Sequence, residues 1–391
     1  MAAKLSFFYV PLSRMGGGYM RYKFGFTLFC CLFFISFSLP AKTLTILFIN
    51  PSHVGQPHWD KAQMLVEKAA QQLDIKLILA RTHQSKRSNL YPLLEVIKNN
   101  KEPLDGVIFL ASQWDDNQYV FSFLEEKKIP FITLENTIDE RDRKFLGKAG
   151  EKFKYWLAEK SFDDKKAGYL LAQELIKQAT HNLSSPISIV AISGARIEIS
   201  DLRNAGLRQA VAENPQTNLK QLVFNNWDRK KSQLQTQKLL LRYPETRIIW
   251  TASDNGGLGA YESVLASGKK PGQDILIGGI DWHSEIFPLI KNGHYNASMG
   301  GQVLAATAGL VLLYDFHNGV NKQTLKNMPN LKIDMLTIND FAMLDAMQTP
   351  NWDNVDFKKM SIKHNAEAAF IGIGLNDLLS PSTQFTINEA K

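Results

Sequence analysis

Two short apolar runs, Ile248-Ile249-Trp250 and Ile275-Leu276-Ile277, each lead into an acid and a group of polar residues able to open a helix. Runs this short and this rich in β-branched residues suit strands. Their lack of polar alternation asks for burial on both faces, as in a parallel sheet covered by helices. After small residues come Ser253-Asp254-Asn255 in one case and Asp281-Trp282-His283-Ser284 in the other. Asp and Ser there can cap the first free amides of the next helix. Capping does not call for a tryptophan in the turn, however, and open α/β sheets bind ligands at the carboxyl ends of their strands. A ligand rim is therefore favoured over two simple caps.

The same unit recurs along the chain. Residues 44–49 read as a strand, 50–58 as a polar turn, and Ala62, Leu65, Val66, Ala69, Ala70 and Leu73 as one face of a helix. Strands are predicted at 75–80, 106–110 and 130–134, with helices near 90–97 and 116–128 between them. Residues 139–154 show no period and read as a surface excursion, after which 155–158 return to the sheet. A second series comes next, with helices at 164–178, 200–211 and 229–241 and strands at 187–192 and 219–224, before the two runs above. A helix at 300–314 and a strand at 332–337 come last. The tail beyond Met347 is aperiodic, with Trp352 and Phe357 expected to pack on the surface. Such alternation predicts an α/β fold of two Rossmann-like lobes with parallel sheets and right-handed crossovers.

The 391 residues are enough for two domains. A net charge of +7 could suggest nucleic acid, but Lys4, Arg14, Arg21 and Lys23 precede Lys42 with no acid among them. The remainder of the chain is only mildly basic and has no clustered basic helix, which argues against nucleic-acid binding. Met20-Arg21-Tyr22-Lys23, the apolar run 24–39 and Pro40-Ala41 have the layout of a secretory signal peptide cleaved after Ala41, with 1–19 as an upstream extension. Cys30 and Cys31 both lie in that run, so the mature chain would hold neither a disulfide nor a thiolate metal site. Export without cysteine fits a periplasm.

The predicted strand ends carry groups suited to a polar ligand with flat apolar faces: Gln56, His58 and Trp59; Ser112 and Trp114; Glu135 and Asn136; Arg203; Trp227; Asp254; Asp281 and Trp282. Rings stack on C–H faces, while acids, amides and arginine bind hydroxyls with direction. Taken singly, each has a plainer role: a lone tryptophan is usually core, and Asp228 beside Trp227 can cap its helix. Their recurrence at strand ends is what points to a site.

Four segments resemble the type I periplasmic binding proteins, in the sugar-binding branch related to ribose-binding protein. Gln56-Pro57-His58-Trp59 is similar to the family's aromatic turn, and Pro130 to Glu135 to its strand ending in a sugar-binding acid. Asp201-Leu202-Arg203-Asn204-Ala205-Gly206-Leu207 is similar to its arginine-bearing helix start. Ser253-Asp254 with Leu258-Gly259-Ala260, and Gly279-Ile280-Asp281, are similar to its last ligand loops. The chain departs from the pattern at Glu135-Asn136, where an Asp-Arg pair is common. It departs again at Ser253, and at Gly301 or Gln302 in place of a hinge glutamine, so ligand identity is not carried over.

The resemblance implies an amino-terminal lobe of 42–159 with 301–329, a carboxyl-terminal lobe of 160–300 with 330–347, and an extension at 348–391. A three-segment hinge would cross near Glu159, Gly300 and Pro329 and close the lobes on a ligand. It implies a periplasmic protein that delivers a carbohydrate-like small molecule to a membrane ABC permease. Ile199 to Arg203 is also similar to periplasmic autoinducer receptors, which leaves a sensor reporting to a membrane kinase or cyclase as the alternative. A signal peptide stands where sugar-responsive repressors carry a DNA-binding helix. No nucleophile elbow, phosphate loop, dinucleotide fingerprint or zinc motif is present in the sequence. The expectation is a binding protein with no enzyme activity, cofactor or metal.

Overall fold

The computed structural model describes residues 42–81, 91–111, 116–135, 138, 140–180, 186–348, 352–369, 374 and 377–378. The first lobe is built on β1 (Leu44–Asn50), α1 (Pro57–Gln72), β2 (Ile75–Arg81), α2 (Tyr91–Asn99), β3 (Gly106–Leu110), α3 (Asp116–Glu126), β4 (Phe131–Leu134), α4 (Glu140–Leu146) and β5 (Trp156–Lys160). Its five strands are all parallel, in the order β2-β1-β3-β4-β5. The apolar run of β1 explains why it sits inside the sheet. Ile46 and Phe48 pack in one cluster with α1, while Leu47 and Ile49 point the other way into a second cluster with α2 and α3. A strand alternates faces residue by residue, so a run with no polar residue fits only where both faces are covered.

The second lobe takes α5 (Asp164–Thr180), β6 (Ile187–Ser193), α6 (Glu198–Glu213), β7 (Thr217–Phe224), α7 (Arg229–Arg242), β8 (Thr246–Thr251), α8 (Asp254–Ala266), β9 (Leu276–Ile280), α9 (Ile286–Lys291) and β10 (Ala297–Gly300). Then α10 (Ala305–His317) packs back on the first sheet and α11 (Lys322–Asn327) on β5. Next, β11 (Asp334–Thr337) joins the second sheet, whose order is β11-β10-β9-β8-β6-β7. Only the β10–β11 pair is antiparallel among the described strands. The chain therefore passes between the sheets at 161–163, 301–304 and 328–333. Gly301 suits the second passage, because its φ is +122° and a side chain would run into the carbonyl of Lys332.

Three expectations are corrected. The stretch 139–154 is not featureless, since α4 lies in it with Asp142 and Leu146 turned inward. Two inward positions are too few to show a period. The strand β10 escaped notice because Ala-Ser-Met-Gly lacks the β-branched residues that mark a strand. The tail is not a surface dressing: after α12 (Phe341–Gln348), which packs on α9, residues 352–360 return to α1, and Val355, Phe357 and Met360 are buried. Gln72 on α1 donates from Nε2 to the Val355 carbonyl at 2.6 Å and accepts from the Phe357 amide at 2.8 Å.

Candidate functional site

A cavity of about 510 Å³ opens where the carboxyl ends of the two sheets face each other. Of the residues singled out from sequence, it brings together Gln56, His58, Trp59, Glu135, Arg203, Trp227, Asp281 and Trp282. Ser112, Trp114 and Asn136 lie outside the described residues. Asp254 does not line the cavity. It is fully buried, accepting from the Tyr295 hydroxyl at 3.0 Å, the Ser298 hydroxyl at 2.7 Å and the His283 amide at 3.1 Å. The residue that caps its helix is Ser253, whose Oγ accepts from the Gly256 amide at 3.2 Å. Asp228 is likewise a cap, accepting from the Lys231 amide at 2.6 Å.

From the first lobe, α1 presents its amino-terminal turn, with Pro57 fixing the first helical position. His58 stands edge-on to Trp59, and its Nε2 lies 3.5 Å from the Glu135 carboxylate at the end of β4. From the second lobe comes Arg203 on α6. Its Nε donates to Asp164 at 2.8 Å, and one terminal nitrogen donates to the Ala252 carbonyl at 2.6 Å and lies 3.5 Å from Asp281. The guanidinium also lies over the Trp227 ring, 5.8 Å from its centroid. An exposed pairing of Arg203 with Glu198 or Asp201 is excluded, since the side chain is buried.

Backbone conformation marks the same residues. Glu135, Trp227, Asp281 and Trp282 all have positive φ, at 58°, 64°, 123° and 54°. Each costs an L-residue on the order of 1 to 3 kcal/mol, and such strain persists where the surroundings demand it, commonly at ligand sites. The second-lobe tryptophans rest against glycines: a side chain at Gly194 would collide with the Trp227 ring, and one at Gly300 with Trp282.

Sequence reasoning named Gln302 and His283 without counting them as ligand groups, and it passed over other lining residues. Gln302 comes just after the start of the second passage between sheets and donates from Nε2 to Asp281 at 2.6 Å. Lys61 and Met64 lie three and six residues after His58 on α1, a helical spacing that could have revealed them. His283 is the neighbour of Trp282. Met347, Gln348 and Trp352 come from the tail, and no periodicity announced them. Burial is the main cause of the charge shifts here. It pushes the Asp254 carboxyl up to about 7, with the neighbouring charge of Asp281 adding to the effect. It lowers Lys61 to about 8, against the pull of Asp254. Asp281 is also raised by burial, while Arg203 and His58 hold it down.

The lining offers carboxylate acceptors, a fixed guanidinium donor, an amide and flat rings. These groups can orient a small polyhydroxylated molecule by hydrogen bonds and stack on its C–H faces. Among the described residues no group of three or more His, Cys, Asp or Glu is placed to hold a metal ion, and no helix is long and apolar enough to cross a membrane.

The chain is similar in sequence and fold to known proteins. Residues 46–316 match the periplasmic binding protein domain family. The galactofuranose-binding protein YtfQ of Escherichia coli K12 is 22% identical over 264 residues, covering 66% of this chain and 77% of that protein. A periplasmic sugar-binding protein from Pseudomonas fluorescens superposes with a TM-score of 0.70 at 24% identity, covering 82% of this chain and 94% of that one. The periplasmic component of the arabinose ABC transporter from Shewanella sp. ANA-3, bound to L-arabinofuranose, superposes with a TM-score of 0.65 at 20% identity over 78% and 95% of the two chains.

Proposed function

The chain belongs to the periplasmic binding protein domain family, and from that premise we propose that its cleft binds a sugar or sugar-like molecule for delivery to an ABC importer. On this reading residues 1–41 are a cleaved signal peptide and the protein works in the periplasm. The observation that carries the proposal is a set of buried polar atoms on cavity-lining residues that lack a partner: Trp227 Nε1, Gln302 Oε1 and His58 Nδ1. A buried donor or acceptor left unsatisfied costs about 1 to 3 kcal/mol. Hydroxyls of a bound ring could satisfy all three while the tryptophan rings cover its apolar faces. The names of the relatives, which include components of ABC transporters, favour delivery over the sensor alternative.

Native mass spectrometry of freshly prepared protein, followed by calorimetry with the released ligand, tests the reading. A co-purified sugar that rebinds and shifts tryptophan emission is expected. Failure of neutral and acidic pentoses and hexoses alike to bind the emptied protein would overturn it.

A further inference from the structure

The cavity holds a cation that its own walls do not neutralise. Lys61 Nζ sits 5.6 Å from the Phe287 ring centroid on α9 and 5.7 Å from that of Trp352 in the tail. Both rings attract a cation through their faces, and together they fix the ammonium where the two lobes and the tail meet. Among the described residues Lys61 has no ion pair or hydrogen bond. The acid that acts on it most is Asp254, whose oxygens are already taken by Tyr295, Ser298 and the His283 amide. The acids that do line the cavity are engaged elsewhere: Asp281 by Arg203 and Gln302, Glu135 by His58, and Asp60 by Arg81 and the Gly55 amide.

Lys61 is half-buried on the cavity wall with no acid in contact with its ammonium, so a ligand that brings a negative charge there gains a charge-assisted hydrogen bond that a neutral ligand does not. We infer that Lys61, held between Phe287 and Trp352, forms a subsite for an acidic group, so that the preferred ligand is a sugar bearing a carboxylate or phosphate rather than a neutral sugar. The inference rests on the sugar-binding reading above and adds the ligand's charge to it. It also gives the tail a part in recognition, since Trp352 supplies one of the two rings. Hydroxyls on the same ligand would meet Arg203, Asp281 and Gln302. The acidic group would stand at Lys61, where Ser284 and His283 also border the cavity. At neutral pH Lys61 keeps most of its charge, because burial lowers it only to about 8.

The test is calorimetry on the emptied full-length mature protein with three matched sets of probes: glucose and galactose, glucuronate and galacturonate, and the two hexose 6-phosphates. The wild type is compared with Lys61→Met, which keeps an unbranched apolar stem against the rings, and with Lys61→Gln in case the first variant melts early. An acidic probe is expected to bind wild type at least tenfold tighter than its neutral counterpart, and that ratio is expected to collapse in the Lys61 variants. Uronates and phosphates distinguish the two sources of charge. Tighter or equal binding of the neutral sugars overturns the inference and leaves the sugar-binding reading intact, as does an acidic preference that survives loss of Lys61. Absence of binding by every probe overturns the inference, and the reading beneath it falls as well only if neutral and acidic pentoses also fail to bind.

Discussion

Asp254 and Asp281 come after neighbouring parallel strands, β8 and β9, and the chain around each reads alike: apolar run, small residues, acid, helix. The fold makes them opposites. Asp254 is 0% exposed and serves three protein donors, whereas the Asp281 side chain is 22% exposed and meets Arg203 and Gln302 at the cavity wall. The difference comes from distant residues. Tyr295 and Ser298 reach Asp254 from the segment forming β10, and Gly279 leaves the space for that pair, because a side chain there would strike both the Asp254 carboxylate and the Tyr295 hydroxyl. Asp281 is held by α6 and by the second passage between lobes. One acid ties the second lobe together, and the other stands at the cavity wall.

The largest expected contrast is in the pH dependence of stability. Asp254 releases its proton near pH 3.8 when unfolded and near 7 when folded. Between those values the folded state holds the extra proton, so this residue's contribution is complete below about pH 4 and is lost as pH rises to about 7. The change is on the order of 4 kcal/mol. Urea denaturation across that range is expected to show a falling stability in wild type and a markedly flatter profile in Asp254→Asn. Identical slopes in the two proteins would break the contrast. Asp281→Asn should also lower the Asp254 midpoint, because the charge of Asp281 helps to raise it.

The next effect is on binding. Asp281→Asn is expected to weaken the native sugar by about 3 kcal/mol, roughly a hundredfold in Kd, since Arg203 and the ligand hydroxyls lose a charged acceptor. Its melting temperature should stay within about 1 °C of wild type, a shift matching under about 1 kcal/mol for a chain of this size. A large loss of stability with unchanged affinity in the folded fraction would mean that Asp281, like Asp254, serves the fold.

The strands and the helix face of α1 were legible because their signals are local: β1 needs two covered faces, and Ala62, Leu65, Val66 and Ala69 mark an inward stripe within one segment. Trp227, Asp281 and Trp282 were legible as a rim because strand ends are where loops converge. The distinct roles of Asp254 and Asp281 were not, because their partners lie dozens of residues away and have no fixed spacing to them. Nor was the part played by the tail. Phe357 is buried against α1 although its neighbours Asp356 and Lys358 are exposed, and Trp352 gains its meaning only from Lys61 and the cavity.

The most direct measurement is a crystal structure of the protein with its co-purified ligand retained. The account predicts ring hydroxyls within about 3.2 Å of Asp281 and Arg203, an apolar face of the ligand against a cavity tryptophan, and Asp254 still bonded to Tyr295 and Ser298. A ligand bound outside this cleft, or one held by Asp254 while Asp281 and Arg203 keep only each other, would contradict it.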